Sequence, residues 1–308
     1  MRRLALAALV FVASGCSPFT DAADPLSLRP TTQSPSASAA PSPSPSPTPS
    51  PASSEDLTAR AMNHVQELVK IGPRVKGKEG ELQAADYIEA KLREAGLEVV
   101  RQTFQLAIGR QAHNIIARLP GVDYAKGYVL LGAHYDTVPK TPGGNDNASG
   151  TAMVIALAET EHAYLAYKGT PVEFVLFAAE EIDQATKQHH EGSRHYRDNA
   201  DLTGIKAMLS IDMIGNGDKV LVVSDRRAPG SLGPEVIDAA SRAGVAVEAK
   251  EAGDVSDHTS FSRRGVDAVL LWAGKHPSFH QPSDDLSVVQ TEAMERCARL
   301  IMEWLKTR

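Results

Sequence analysis

The sequence predicts an α/β fold over residues 55–308, a three-layer α/β/α sandwich around a mixed, largely parallel central sheet. Two observations lead to this prediction. Short continuous apolar runs, typical of strands buried on both faces, alternate along the chain with segments of helical periodicity. His, Asp and Glu residues follow several of these apolar runs directly, as expected when loops at one edge of a sheet carry a ligand site. The segment is long enough to bury a sizeable core.

The first residues predict an export signal with a lipid attachment site. A positively charged start is followed by an apolar run over residues 4–12 and by small residues before Cys16. The run is much shorter than the roughly 20 residues that cross a bilayer as a helix, which favours a cleaved signal. Residues 13–16 resemble the bacterial lipobox, although Ala13 stands where Leu is usual. We therefore expect residues 1–16 to direct export and Cys16 to anchor the chain to the bacterial cell envelope. Secretion in soluble form is the alternative.

A linker is predicted over residues 17–54. Its composition is dominated by Pro, Ser, Thr and Ala, and Ser alternates with Pro over residues 41–47. Such a stretch cannot bury a core and favours extended polyproline II at ~3.1 Å per residue. We interpret it as a stalk that holds the domain away from a membrane surface, and a ligand for proline-reading domains is the alternative.

We expect neither a nucleic-acid partner nor an internal disulfide. The net charge is −6, and no cluster of basic residues interleaved with aromatic residues is present. The two cysteines are Cys16 and Cys297, and lipidation of the first leaves the second without a partner. Cys297 shares a helical spacing with Leu300, Ile301 and Trp304, so we expect it to be a buried apolar residue.

Helical periodicity appears between the predicted strands. Residues 57–69 and 82–92 show it first, and Gly96 then supplies a stop signal. The apolar face of the second segment consists of Leu82, Ala85, Ile88 and Leu92. Further helices are predicted over residues 148–157, 193–199, 234–243 and 286–306.

Two kinds of strand are predicted. Residues 97–104 and 112–119 have the pattern of half-buried strands. Buried central strands are predicted over residues 128–133, 172–178, 207–211 and 268–272.

The carboxyl ends of the central strands carry the candidate site residues. In open α/β sheets, ligands bind beyond these ends. The residues that follow the strands are His134 and Asp136, then Glu180 and Glu181, then Asp212, and after a longer loop His280. A single acidic residue after a strand is commonly a helix cap, and a single His is commonly structural. Several together on one rim predict a metal site.

Local geometry assigns partners to two of these residues. In an extended segment, His134 and Asp136 point to the same face, so the carboxylate can accept the second N–H of the imidazole and fix its tautomer. The same logic assigns Asp284 to His280. Asp146 lies in a tight Gly-rich loop that opens a helix, and it could either face two cations with its two oxygens or cap the helix. Both alternatives stay open at this point.

These residues resemble the co-catalytic zinc peptidases of metallopeptidase family 28 (clan MH), which include bacterial aminopeptidases, glutamate carboxypeptidases and glutaminyl cyclases. The resemblance covers roughly residues 55–308. It rests on the ordered motifs Gly132-Ala133-His134-Tyr135-Asp136, Asp146-Asn147-Ala148-Ser149-Gly150, Glu180-Glu181, Ile211-Asp212-Met213-Ile214-Gly215, Ser256-Asp257-His258 and Phe279-His280-Gln281-Pro282-Ser283-Asp284. It implies a zinc exopeptidase-like fold and two Zn²⁺ per chain, although the donor set would also accept Co²⁺ or Mn²⁺.

The resemblance also implies a role for each residue. Asp146 would bridge the two zinc ions, His134 and Asp212 would complete one site, and Glu181 and His280 the other. Glu180 would be the general base that takes a proton from a shared water.

The activity implied is that of an aminopeptidase, which hydrolyses peptides with a free N-terminus. The alternatives are a glutaminyl cyclase-like acyltransferase and a non-catalytic surface binding domain. A related carboxypeptidase and deacylase class inserts a lid domain before the last histidine, and the stretch between Asp212 and His280 is too short for one.

Three features depart from the family pattern or have no assigned role. Residues 182–191 form an insert beside the expected cleft, and its His189 and His190 predict an exposed polar loop rather than a third metal site. Asn145 stands where Asp is frequent. Asp257 and His258 are predicted either to support the ligands or contact substrate, or to cap a helix.

Overall fold

The computed structural model describes residues 52–160, 169 and 171–308. The predicted signal segment, Cys16 and almost all of the predicted linker lie outside the described residues. The strands are β1 (Glu98–Gln105), β2 (Gln111–Arg118), β3 (Tyr128–His134), β4 (Val172–Phe177), β5 (Ile205–Asp212), β6 (Val220–Asp225), β7 (Val247–Ala252) and β8 (Ala268–Trp272). The described helices are α1 (Ser54–Ile71), α2 (Glu79–Glu94), α3 (Gly150–Thr160), α4 (Glu191–Asn199), α5 (Leu232–Ala243), α6 (His258–Ser262) and α7 (Thr291–Leu305).

The eight strands of the described residues belong to one sheet in the order β1-β2-β4-β3-β5-β8-β6-β7. The centre of the sheet is parallel, because β3 pairs in parallel with β4 and β5, and β5 does so with β8. Antiparallel pairing occurs toward the edges, between β1 and β2, β2 and β4, and β8 and β6. The predicted mixed, largely parallel sheet is confirmed.

Alternate side chains of the central strands enter two separate cores, one on each face of the sheet. Leu131 of β3 and Leu209 of β5 pack with residues of α1, α3 and α7. Their neighbours Leu130 and Met208 pack on the opposite face with residues of α4 and α6. This period of two is what a strand buried on both faces requires. The predicted three-layer sandwich is therefore confirmed.

The apolar face predicted for α2 is wrong at its first position. Ala85, Ile88 and Leu92 are fully buried, but Leu82 is 36% exposed. Glu81 is buried instead, and its carboxylate accepts hydrogen bonds from the Tyr135 hydroxyl and from the His113 backbone N–H. Burial raises the pKa of Glu81 to about 7. A polar partner in the core thus determines which residue of the first turn faces inward.

Two strands and one helix were not predicted. The edge strand β7 has exposed charged side chains on much of its length and lacks the apolar pattern of a buried strand. β6 was missed although its apolar run is buried like those of β4 and β8, and α6 has five residues, too few for helical periodicity to show.

The predicted C-terminal helix is shorter than expected. The segment starts with a separate turn, Leu286–Val288, where the Asp285 carboxylate accepts the Ser287 N–H, and α7 begins only at Thr291. Cys297 and Trp304 of α7 are buried as predicted, and burial raises the pKa of Cys297 to about 12. Among the described helices, none combines the length and the apolar character that crossing a membrane requires.

We expect the two apolar residues of α2 to differ sharply in their contribution to stability. Ile88→Ala removes a fully buried side chain and should lower the free energy of unfolding by about 2–5 kcal/mol. The matched variant Leu82→Ala, on the same helix, should lower it by about 1 kcal/mol or less. Urea denaturation of both proteins measures the difference, and equal losses would contradict the orientation described for α2.

Candidate metal centre

The carboxyl edge of the parallel strands brings the predicted ligands together. His134 and Asp212 are the last residues of β3 and β5. Glu181 follows β4, and His280 lies on the loop after β8. Asp146 lies in the turn Gly144–Ser149 that precedes α3. Sheet register therefore fixes the backbone of two of these residues, and the others lie on loops at the same edge.

Asp146 occupies the middle of the cluster. Its Oδ1 lies 3.4 Å from His134 Nε2, which is also 3.3 Å from Asp212 Oδ1. Its Oδ2 lies 3.2 Å from His280 Nε2, which is also 3.1 Å from Glu181 Oε2. The two oxygens of one carboxylate thus face two different groups of ligand atoms.

The donor atoms fit divalent cations. Within each of the two groups the nitrogen and oxygen atoms lie within 4.8 Å of one another. Asp146 Oδ2 and Glu181 Oε1 are buried and have no hydrogen-bond partner among the described residues. Burial, together with the negative charge of Asp146, raises the pKa of Glu181 to about 8. Cations bound between these atoms would give the unpaired oxygens a partner and relieve the repulsion between the carboxylates. Imidazole with carboxylate is a donor set that zinc accepts.

Asn147, and not Asp146, caps helix α3. The Asn147 side-chain oxygen accepts the N–H groups of Gly150, at 2.9 Å, and Met213, at 3.0 Å. Its amide nitrogen donates to the Ile211 carbonyl at 2.9 Å. The peptide bond between Asp146 and Asn147 is cis. The capping alternative for Asp146 is therefore wrong.

The partner predicted for Asp284 is wrong. Its two carboxylate oxygens accept the backbone N–H groups of Asn145, at 2.8 Å, and Asp146, at 3.0 Å. Asp284 therefore holds the loop that carries Asp146 and does not contact the ring of His280. The physical reason is that the backbone of this loop presents two adjacent N–H groups, which occupy both oxygens. Asn145 adds a second connection, because its side-chain oxygen accepts the Gly215 N–H at 2.9 Å.

Asp136 lies between β3 and the two glutamates. Its Oδ1 is 3.5 Å from His134 Nδ1, on the side that the alternation of the strand predicts. The same carboxylate accepts the N–H groups of Glu180, at 2.9 Å, and Glu181, at 3.2 Å. Asp136 therefore positions the glutamate pair as well as facing the histidine.

The Ser256-Asp257-His258 segment contacts the cluster through Ser256. Ser256 Oγ donates to Asp212 Oδ2 at 2.9 Å. Asp257 occupies the N-cap position of α6, but its side chain makes no capping hydrogen bond, and both it and His258 are fully buried. Burial and the charge of Glu180 raise the pKa of Asp257 to about 7. Helix capping is therefore not the role of Asp257, whereas the contact of Ser256 agrees with support of the ligands.

Two basic residues in the connection between α1 and α2 were missed in the sequence. Arg74 is fully buried and donates to the backbone carbonyls of Tyr135, at 2.7 Å, and Gly143, at 2.9 Å. Lys76 donates to the Glu181 carbonyl at 2.8 Å. Both side chains therefore bind backbone carbonyls of the segments that carry the predicted ligands. The sequence offered one signal for them, two positively charged side chains in a short connection that contains Gly and Pro. Such a connection is more often a turn exposed to solvent.

The insert forms one side of a cavity of ≈ 420 Å³ above the cluster. Ile182, His189 and His190 of the insert line it, as expected from the position of the insert beside the cleft. The prediction of an exposed loop is wrong for His190, which is 2% exposed. At a φ of 53°, its backbone turns the ring inward, where Nε2 lies 2.9 Å from Glu180 Oε1. Met213, Leu270, Trp272 and Phe279 also line the cavity and form its apolar wall.

Sequence relatives share this region of the chain. Leupeptin-inactivating enzyme 1 of Streptomyces exfoliatus is 30% identical over 225 residues, which cover 70% of this chain and 49% of that protein. A probable lipoprotein aminopeptidase, LpqL, of Mycobacterium tuberculosis is 28% identical over 222 residues, with 60% and 43% covered. The chain thus spans about half the length of the relatives it matches.

Solved structures share the fold. A zinc aminopeptidase from Bacillus subtilis superimposes with a TM-score of 0.71 at 16% identity, covering 81% of this chain and 94% of that one. The glutaminyl cyclase of Porphyromonas gingivalis superimposes with a TM-score of 0.69 at 23% identity, covering 82% and 99%. The family model of peptidase family M28 matches residues 114–305, the stretch that contains the whole cluster around Asp146, and the chain therefore belongs to peptidase family M28.

Proposed function

We propose that this protein is a zinc-dependent aminopeptidase that hydrolyses N-terminal residues from peptides with a free N-terminus. The observation that carries the proposal is the position of Asp146, which presents one oxygen to His134 and the other to His280. This geometry favours two zinc ions, with Asp212 completing the first site and Glu181 the second. The names of the relatives support aminopeptidase activity, and the fold shared with a zinc aminopeptidase of Bacillus subtilis supports zinc as the metal.

Glu180 is the proposed general base. A pair of zinc ions bound at the cluster would lower the pKa of a water and polarise the scissile carbonyl. Burial alone would raise the pKa of Glu180, but His134 and His190 outweigh it, so the pKa lies below its usual range. The carboxylate is therefore ionised, the form that can accept a proton from the attacking water and later release it to the leaving amine.

The apolar wall of the cavity supports a substrate with an uncharged N-terminal side chain. Met213, Leu270, Trp272 and Phe279 are among the residues that line the cavity. A side chain packed against them would lose contact with water, which favours an apolar group, and Lys275, whose Nζ lies 4.5 Å from the centre of the Phe279 ring, disfavours a positively charged one.

We also propose that the chain is anchored to the bacterial cell envelope by a lipid on Cys16. The charged start, the short apolar run and the lipobox-like residues 13–16 support the proposal. A relative named as a probable lipoprotein aminopeptidase agrees with it. The Pro- and Ser-rich linker would then separate the domain from the membrane surface.

Metal content and substrate preference test the main proposal. We expect about two zinc ions per purified chain by plasma mass spectrometry, and hydrolysis of aminoacyl p-nitroanilides that stops on chelation and returns with zinc. N-acetylated versions of the same substrates should not be cleaved. Activity confined to the cyclisation of N-terminal glutamine would indicate a glutaminyl cyclase instead, and no metal with no turnover would indicate a binding domain.

Two substitutions separate the general base from the ligands. Glu180→Gln should retain the zinc content of the wild type and reduce kcat by roughly 10²–10⁴-fold, because the amide cannot accept the proton. Asp146→Ala should lose both metal and activity, because each proposed site loses a ligand. Full turnover by Glu180→Gln would remove Glu180 from the mechanism while leaving the metal proposal intact.

The anchor is tested by Cys16→Ser in the natural host or a related bacterium. We expect the wild-type chain to partition into detergent and to incorporate labelled fatty acid, and the variant to lose both properties because serine lacks the thiol that accepts the lipid. Aminopeptidase activity per chain should be unchanged. Fatty-acid labelling of the variant equal to that of the wild type would contradict attachment at Cys16.

A further inference from the structure

The ring of His190 lies between two carboxylates from distant segments of the chain. Its Nε2 is 2.9 Å from Glu180 Oε1, and its Nδ1 is 3.2 Å from Asp254 Oδ1. The residue is 2% exposed, so water competes little for either nitrogen. Both neighbours are acceptors when ionised, so Nε2 can donate to Glu180 while Nδ1 faces Asp254 at ion-pair distance, without the alignment of a hydrogen bond. His190 is therefore a buried link between Asp254 and Glu180.

Asp254 is itself held in place by contacts with further residues. Its Oδ2 lies 2.9 Å from Nη1 of Arg263 and 3.4 Å from Nη2 of Arg194. Its Oδ1 accepts the hydroxyl of Thr259 at 2.5 Å. These contacts connect Asp254 to α4, to α6 and to the residue after α6. The carboxylate that faces His190 therefore has a fixed position.

The backbone of the insert is fixed at the same place. The His190 N–H donates to the Glu180 carbonyl at 2.8 Å, and the Glu191 N–H donates to the Ala179 carbonyl at 2.8 Å. Lys76 forms an ion pair of 2.8 Å with the Glu191 carboxylate and donates to the Gln188 carbonyl at 3.2 Å. The ring of His190 thus projects from a segment that is bound to the residues on either side of it.

A third metal ion is not the purpose of this arrangement. His189, His190 and Asp254 are residue types that bind metals, and their donor atoms lie within 4.8 Å of one another. However, Asp254 Oδ2 already pairs with the guanidinium groups of Arg263, at 2.9 Å, and Arg194, at 3.4 Å, so this carboxylate is not free to hold a cation. The neighbouring guanidinium groups of Arg194 and Arg263 add positive charge and disfavour a cation beside Asp254.

We propose that His190, oriented by Asp254, is a positioning residue that holds the Glu180 carboxylate in the orientation needed for proton transfer. A contact at Oε1 restricts rotation of the carboxylate and leaves Oε2 for the attacking water. The inference rests on the proposed function, because it assigns a support to the proposed general base. The residues that carry it belong to the insert and to the loop after β7, outside the ligand set.

The first test is the effect of His190 on turnover alone. His190→Ala should reduce kcat by about 10–100-fold, the loss typical of residues that orient catalytic groups, with KM and zinc content within about two-fold of the wild type. His190→Gln, whose amide N–H can still donate to Glu180, should recover part of this loss. Imidazole added to His190→Ala should raise kcat in a saturable manner. A residue that only stabilises the fold would give neither recovery.

The second test is the coupling of His190 to Asp254. Asp254→Asn should lower kcat in the wild-type background but have little further effect in His190→Ala, because both changes remove the same support. Additive losses in kcat would contradict the proposed link. His195→Ala provides the matched control, since His195 stacks on Phe104 at a centroid distance of 4.8 Å and makes no contact with Glu180 among those the structure describes. Its kcat should equal that of the wild type.

Comparison with Glu180→Gln separates this inference from the proposed function. If Glu180→Gln is inactive and His190→Ala has wild-type kcat, the positioning role is wrong and the general base stands. If His190→Gln folds but loses zinc, or raises KM with kcat unchanged, His190 serves the metals or the substrate and the positioning role is again wrong. If Glu180→Gln is fully active, the general base itself is wrong, whatever His190 does.

Discussion

The arrangement of this site depends on holding several carboxylates close together where water is scarce. Asp146, Glu181 and Asp212 are between 4% and 7% exposed and converge on two histidines. Like charges at such separations repel strongly in a medium of low dielectric constant. Burial, and after it the negative charge of Asp146, raises the pKa of Glu181. A cluster of this kind persists only if cations or oriented donor groups compensate it, and the surrounding structure is organised to supply them.

The groups that compensate these carboxylates are mainly backbone N–H groups and one buried guanidinium. Asp136 and Asp284 each accept two backbone N–H groups of the segments that carry the proposed ligands. These carboxylates therefore have their charge stabilised and fix their neighbours at the same time. Arg74 binds the carbonyls of Tyr135 and Gly143 and brings a positive charge close to the cluster. Burial lowers the pKa of Arg74 to about 10, so the guanidinium keeps its charge at neutral pH.

The sequence was most informative where a pattern has a local cause. The alternation of apolar runs and helical segments predicted the sheet, and the residues at the strand ends predicted the cluster, because both follow from neighbours along the chain. It failed where partners are distant in sequence. The contact of Asp284 with the Asp146 loop, and the inward turn of Glu81 toward Tyr135, depend on packing between separate elements. Edge strand β7 lacked a signal because its side chains do not need an apolar pattern.

The insert after β4 shows how a site can gain a new neighbour without any change in its ligands. Asp136 fixes the N–H groups of Glu180 and Glu181, so the chain beyond Glu181 is free to leave the sheet. The chain must nevertheless return to the end of β4, because α4 starts beside that end at Glu191. The return is made by hydrogen bonds from His190 and Glu191 to the carbonyls of Glu180 and Ala179. The last residues of an insert of this kind are consequently placed next to the glutamate pair. The hydrogen bonds that close the loop place the backbone of His190 next to Glu180, and the ion pair with Asp254 stabilises a positive charge on the ring beside the Glu180 carboxylate.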